Sequence, residues 1–197
     1  RLDLAENTVV IFTSDNGGHG RITSPVPLRG NKGNFYEGGI RVPLIARWPG
    51  RIQRGSSCST PVTSTDFYPT MLSMAGLPLR PKQHVDGVDM TPLLAQEGSL
   101  DRDAIYWHFP NYIGPGHPNP ATPCSVIRAG DWKLIEYLDD GRLELYNLRE
   151  DLGETTNRAG ELPERARSLR SQLRQWRAEA SVQMPTPNPL YHAASKP

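Results

Sequence analysis

Thr8-Val9-Val10-Ile11-Phe12-Thr13-Ser14-Asp15-Asn16-Gly17-Gly18 opens the stretch that decides the fold, which runs on to Pro49. Thr8 to Phe12 form a short apolar run rich in β-branched residues, the pattern of a strand covered on both faces. The run ends in an acid and an amide on a glycine-rich turn. A carboxylate and a carbonyl oxygen at a strand's C-terminal end can grip a hard cation, and open α/β sheets bind ligands at that end. Asp-Asn-Gly is also ordinary Asx-turn chemistry, and taken alone this tetrapeptide reads as a turn; the motifs that follow reverse that.

Pro27-Leu28-Arg29-Gly30-Asn31-Lys32-Gly33 follows, then Tyr36-Glu37-Gly38-Gly39-Ile40-Arg41-Val42-Pro43. The span from Asp15 to Gly39 is too long for a simple connection, which favours a functional loop. Lys32 stands among Gly30, Gly33, Gly38 and Gly39. Glycines let backbone approach a ligand closely, and a lysine is a mobile point charge suited to an oxyanion. By itself it also reads as a solvated loop lysine. The Walker spacing is absent. A lysine facing an anion held on a cation suggests chemistry on a phosphate-like or sulfate-like ester. Arg29, close by in the chain, is the candidate to orient the Lys32 loop. Ile40 to Trp48 reads as a second strand, with Pro43 at a ladder break or edge.

The chain of 197 residues suits one large domain or two small ones. Its net charge of +1 supplies no bulk field for nucleic acid or an anionic membrane. No apolar run approaches membrane-spanning length. With 19 prolines and 18 glycines much of the chain is loop, yet its aliphatic segments argue against disorder. Cys58 and Cys124 fix neither compartment nor pairing. The chain begins at Arg1, which points to missing upstream sequence and leaves a signal peptide unjudged.

A short helix is expected after Ser64 or Thr65, with Phe67, Met71 and Met74 on one face, Pro69 near its start and Gly76 as its C′ residue. Asp86 to Leu94 reads as a turn into one helical turn. From about Asp101 a second unit begins. Ala104–Phe109, Ser125–Arg128, Trp132–Leu138 and Arg142–Leu148 read as strands, with Ala129-Gly130-Asp131 and Asp139-Asp140-Gly141 as hairpin turns. Pro110 to Pro123 has no regular pattern. Leu162, Ala166, Leu169, Leu173, Trp176 and Ala180 mark one buried helical stripe, and the proline-bearing tail beyond it is expected to be extended. The expected architecture is α/β over residues 1–100, then a small antiparallel sheet packed by a C-terminal helix over 101–197.

The blocks Ser14–Gly18, Pro27–Gly33 and Tyr36–Pro43 resemble the second half of the type I sulfatases, of the alkaline-phosphatase-like superfamily. Thr65–Leu72, Asp86–Asp89, and Gly130–Leu134 followed by Glu144–Leu148 extend the likeness in the same order. It covers nearly the whole chain, except the loop around Gly114 and the tail. The resemblance implies that the first unit is the remainder of the sulfatase catalytic domain. It implies that Asp15 and Asn16 are two ligands of a divalent cation, usually Ca2+. It implies that Lys32 contacts the sulfate and helps stabilise the leaving ester oxygen. The blocks around Glu37, Arg41, Asp66 and Trp132 are structural in this reading. A periplasmic or secreted location is also what the resemblance implies.

These enzymes use a formylglycine made from Cys or Ser in a Cys/Ser-x-Pro-x-Arg motif. Neither Cys58-Ser59-Thr60-Pro61 nor Cys124-Ser125-Val126 fits, so the nucleophile is expected upstream of this chain, with an acidic ligand pair, two histidines and a second lysine. The chain therefore reads as the C-terminal portion of a sulfuric ester hydrolase, inactive alone, completed by a missing N-terminal half. A sulfated carbohydrate is the default substrate. Related carbohydrate sulfatases place an aromatic-His-aromatic-Pro segment like Tyr106–Pro110 near the substrate, which makes His108 a candidate substrate contact. His19, His84, His117 and His192 read as loop or tail positions. Arg165, Arg167, Arg170, Arg174 and Arg177 read as a solvated helix face.

Two rivals stand beside this reading. One is a phosphodiesterase or phosphonate hydrolase of the same superfamily, disfavoured because its zinc phosphatases tend to carry Asp-His where Asp15-Asn16 stand. The other is a catalytically incomplete product, whose uncovered sheet edge and helix faces invite oligomerisation.

Overall fold

The computed structural model describes residues 2–114 and 121–186. His117, His192 and the tail prolines Pro187 and Pro189 lie outside them. The chain forms two compact units, one of residues 1–17 and 41–105, the other of residues 18–40 and 106–197.

In the first unit β1 (Val10–Thr13) ends at the residue before Ser14. The short helix α1 (Glu37–Ile40) belongs to the second unit. Back in the first unit, β2 (Leu44–Arg47) begins directly after Pro43, where a missing N–H costs no ladder bond. β1 and β2 pair antiparallel, Phe12 opposite Ile45. Cover on both faces is not what the described residues give this strand. Val10, Phe12 and Ile45 share one face of this two-stranded ribbon and are 50%, 61% and 63% exposed.

A 3-10 turn, Ser64–Asp66, leads into α2 (Phe67–Met74). Thr63 and Asp66 form a reciprocal capping box at this start. Gly76 ends the helix at φ +67°. The Leu77 N–H reaches Leu72 O at 2.9 Å and the Gly76 N–H reaches Ser73 O at 3.0 Å, the paired bonds of a Schellman stop. The expected inward face of α2 is corrected. Pro69 and Thr70 are buried and Met71 is 52% exposed. Polar bonds set this rotation. The Thr70 hydroxyl donates to Asp66 O at 2.6 Å and accepts the Met90 N–H at 2.9 Å. The one-turn helix α3 (Thr91–Leu94) is started by Asp89, which accepts from the Thr91 N–H and hydroxyl, both at 2.9 Å.

Asp66 ties this unit together. It is wholly buried, and it takes Arg102 on both oxygens at 2.7 and 3.0 Å, with the Thr63 and Val88 N–H groups at 2.8 and 3.0 Å. A buried carboxylate survives only with such full pairing.

The second unit is built on a four-stranded sheet in the order β3 (Ile105–Phe109), β4 (Cys124–Ala129), β5 (Trp132–Tyr137), β6 (Leu143–Asn147). The pairs β4–β5 and β5–β6 are antiparallel, and Gly130-Asp131 closes the first hairpin in two residues. Alternation along the strands sorts side chains onto two faces. Ser125, Ile127, Leu134, Glu136 and Leu145 take the face of α4 (Pro163–Glu179). Cys124, Val126, Ile135 and Tyr146 take the other, where Phe35, Tyr36, Trp107 and Tyr137 complete the cluster.

Helix α4 buries Ala166, Leu169 and Leu173, while Trp176 stacks on Tyr106 at 4.8 Å between centroids. Ala180, expected in the stripe, is exposed beyond the helix end. The arginine face is also corrected. Arg170 and Arg177 reach the buried Glu136 at 2.6 and 2.7 Å, and Arg174 lies 3.7 Å from it. Arg165 covers the Trp132 ring at 4.6 Å.

Both cysteines are free, Cys58 exposed and Cys124 buried. Burial pushes the Cys124 thiol up to about 12, because the thiolate would lose its water. A thiol reagent at pH 8 should therefore modify one equivalent in the native protein, at Cys58, and two after unfolding. Two fast equivalents in the native state would contradict this burial.

Candidate functional site

Asp15 and Asn16 occupy a bend that starts two residues past the end of β1 and runs into Gly17 and Gly18. The Asp15 side chain is exposed and that of Asn16 is half-buried. The Ser14 hydroxyl donates to Asn16 O at 2.9 Å and fixes the bend. Two hard oxygen donors of this kind fit part of a divalent-cation shell. No group of three or more His, Cys, Asp or Glu side chains placed to hold a metal occurs among the described residues.

Lys32 lies in the second unit, exposed on the long loop. Its backbone is held although its side chain is free to reach outward: the Lys32 N–H donates to Gly18 O at 3.0 Å. The loop then closes on itself, with the Gly38 N–H donating to Arg29 O at 2.7 Å. Gly39 is required here, since a Cβ would stand 2.0 Å from Asn34 O.

Below this loop the sheet supplies two polar clusters that sequence reading did not find. In the first, Tyr36 and Tyr146 donate to Glu144 Oε2 at 2.7 and 2.8 Å, and the Tyr36 and Tyr137 hydroxyls lie 3.0 Å apart. Arg142 pairs with the same Glu144. Arg29 donates to the Tyr146 hydroxyl at 3.0 Å and covers the Tyr36 ring at 3.9 Å. Burial, together with hydrogen bonds to Tyr137 and Glu144, drives the Tyr36 hydroxyl far above the usual phenol range. Neutral phenols donating to one carboxylate make this a strap and not an acid–base pair.

The second cluster is ionic. Lys133, wholly buried, lies 3.0 Å from Glu37 Oε1 and 2.8 Å from Glu154 Oε1. Arg128 approaches Glu37 at 3.6 Å. The signal in the sequence was faint but present: Lys133 shares strand parity with Ile135 on the loop-facing side, where a charge needs a buried partner.

His108 projects from β3 onto the opposite, helix-facing side of the sheet from the Lys32 loop. Its Nδ1 lies 2.8 Å from the Ser125 hydroxyl and its Nε2 2.9 Å from Gln183 O. Arg177 donates to the same hydroxyl at 3.1 Å. Donation from Nε2–H to Gln183 O and acceptance at Nδ1 from Ser125 satisfy both ring nitrogens. The structure does not bring His108 next to Lys32. His19 anchors the turn after Gly18, its carbonyl accepting the Ile22 and Thr23 N–H groups at 2.9 Å. His84 is half-buried, its Nδ1 lying 3.1 Å from Gly87 O.

Residues 31–180 match the family described as N-sulphoglucosamine sulphohydrolase, C-terminal. The chain belongs to the sulfatase family. It is 43% identical over 188 residues to a sulfatase of Formosa agariphila, covering 88% of this chain and 33% of that one. It is 37% identical over 136 residues to human arylsulfatase A, covering 67% and 25% of the two chains. Among solved structures, Ps i-CgsB in complex with k-i-k-neocarrahexaose superposes with a TM-score of 0.72 at 27% identity, over 87% of this chain and 37% of that chain. BT4656, in complex with its substrate D-glucosamine-2-N,6-O-disulfate, has the same TM-score and identity over 89% and 35%. The chain thus spans about a third of the first of these curated relatives. The α/β fold and the small C-terminal sheet with its helix are those of the alkaline-phosphatase-like sulfatases. Among the described residues no helix is long and apolar enough to cross a membrane.

Proposed function

We propose that this chain supplies the C-terminal part of a sulfuric ester hydrolase, with Asp15 and Asn16 as oxygen ligands of a divalent cation, Ca2+, and Lys32 as a contact to the sulfate. The observation that carries this reading is the Asp15-Asn16 bend past the end of β1, its aspartate exposed, in a chain 43% identical to a sulfatase. An oxygen-only pair suits a hard ion. Lys32, a compact ammonium on a braced loop, suits a sulfate oxygen whose charge grows as the ester bond breaks. The formylglycine of the remaining part of the enzyme would supply the nucleophile, and nothing in this chain replaces it.

A sulfated carbohydrate is the proposed substrate class, supported by the sugar ligands of the two structural neighbours above. For His108 to touch such a substrate it would have to give up Gln183 O, so its proposed role is to hold the chain that follows α4. The rival reading as a phosphonate hydrolase has one specific support, a TM-score of 0.64 to the phosphonate monoester hydrolase of Agrobacterium radiobacter at 25% identity. Assaying the full-length enzyme on a sulfate ester and the matching phosphonate monoester separates the two, and sulfate preference is expected.

The metal assignment has its own test. In the full-length enzyme, Asp15→Ala should weaken calcium binding at least about 100-fold by titration calorimetry, since even outer-shell partners of a metal cost 10–100-fold. Unchanged affinity would return Asp15-Asn16 to an Asx turn.

A further inference from the structure

Glu154 touches both ends of the Lys32 loop. At the first end, Arg29 donates to the Glu154 carbonyl oxygen at 2.8 Å. At the second, the Glu37 N–H donates to Glu154 Oε2 at 2.6 Å. The bond from the Gly38 N–H to Arg29 O, 2.7 Å, joins the two ends to each other. Between them hang Gly30 to Tyr36, with Lys32 near the middle. Glu154 is wholly buried, and its backbone sits at φ +52°, a left-handed conformation uncommon for a non-glycine residue. From β5, Lys133 pairs with the side chain, 2.8 Å from Glu154 Oε1. Burial pushes the Glu154 carboxyl above its ordinary value and Lys133 pulls it part of the way back, so the charge that grips the loop depends on this lysine.

We propose that Glu154 is a positioning residue for Lys32: one side chain and its own carbonyl clamp both ends of the loop and set where the ammonium points. The proposal rests on the assignment of Lys32 to the sulfate. A loop carrying a point charge needs such bracing, because misplacing a catalytic contact by about 1 Å can cost on the order of 100-fold. A purely structural role would hold the loop on the sheet without affecting what Lys32 does.

A double-mutant cycle in the full-length enzyme separates the two roles. Wild type, Lys32→Ala, Glu154→Ala and the double variant are assayed on 4-nitrophenyl sulfate, with hydrogen exchange of residues 29–39 followed by mass spectrometry. Glu154→Gln stands in if the alanine variant fails to fold, since it keeps an oxygen for the Glu37 N–H. Glu154→Ala should lower kcat/KM about tenfold in the wild-type background and less than about twofold beside Lys32→Ala. Glu154→Gln should recover part of the loss, and exchange should quicken over 29–39. An equal fall in both backgrounds overturns the clamp, as does unchanged exchange. A Lys32→Ala enzyme that keeps full activity overturns the Lys32 assignment instead, and the positioning role with it, whichever sulfate ester the wild type turns over in the assay.

Discussion

Lys133→Met is expected to destabilise the protein by about 3–5 kcal/mol at neutral pH, the usual loss when one partner of a buried ionic group is removed. The methionine fills the space, so packing changes little. What changes is the charge count: Glu37 and Glu154 remain buried without the lysine that lies within 3.0 Å of both, while Arg128 lies 3.6 Å from Glu37. The pH dependence gives the sign. The Glu154 carboxyl already stands above its ordinary value in the folded state. It therefore binds its proton more readily folded than unfolded, and its protonation adds stability as pH falls through the folded value towards the unfolded one. Removing Lys133 raises the folded value further. The gap between variant and wild type should thus narrow as pH drops through the carboxylate range. Urea midpoints measured across that range check this, and a constant gap would contradict the charge account. Adding Glu37→Gln and Glu154→Gln to Lys133→Met should restore much of the loss, since neutral groups need no counter-ion.

Lys32→Ala in the full-length enzyme is expected to lower kcat about 100- to 1,000-fold, the range seen when one preorganised donor to a developing oxyanion is removed. kcat and kcat/KM should fall together, because the contact strengthens as the ester bond breaks. Stability should stay within about 0.5 kcal/mol, since the side chain is exposed. Lys32→Arg should not rescue activity: the planar fork is larger than the ammonium and demands two acceptors in one plane. Steady-state kinetics with a thermal melt of each variant decide the matter. A rise in KM alone, with kcat intact, would make Lys32 a binding group only.

Much of the second unit was legible from local chemistry. Gly130-Asp131 and Asp139-Asp140-Gly141 announced their hairpins because two-residue and glycine-bearing turns have few alternatives. The spacing of Leu162 to Trp176 announced α4. What stayed hidden was non-local. Nothing around Gly18 to Ile40 says that this loop joins the unit of β4 to β6, because its bonds to Tyr146 and Glu154 span more than a hundred residues. The α4 arginines read as solvated because Glu136, their partner, is an ordinary-looking acid in a strand. The inward face of α2 was misjudged because hydroxyl and carboxylate bonds at Thr70 and Asp66, not apolar residues, set its rotation. Asp15, Asn16 and Lys32 were singled out by the family resemblance, since residue type and spacing alone also fit an Asx turn and a solvated lysine; the long-range contacts that hold the Lys32 loop left no local trace.

Along β5, Ile135 looks towards the strap under the Lys32 loop while its neighbour Glu136 looks towards the arginines of α4. Adjacent positions in the chain therefore answer to different partners. A pair of substitutions, one from each side, shares no contact, and its effects on stability should combine as a simple sum. Lineages could then rebuild the helix side, exchanging arginines, glutamate and stacked rings, while the bracing of the Lys32 loop stays untouched. On this geometry the sheet would insulate one set of inherited changes from the other, so substitutions in α4 are expected to leave the hydrogen-exchange rates of residues 29–39 unaffected.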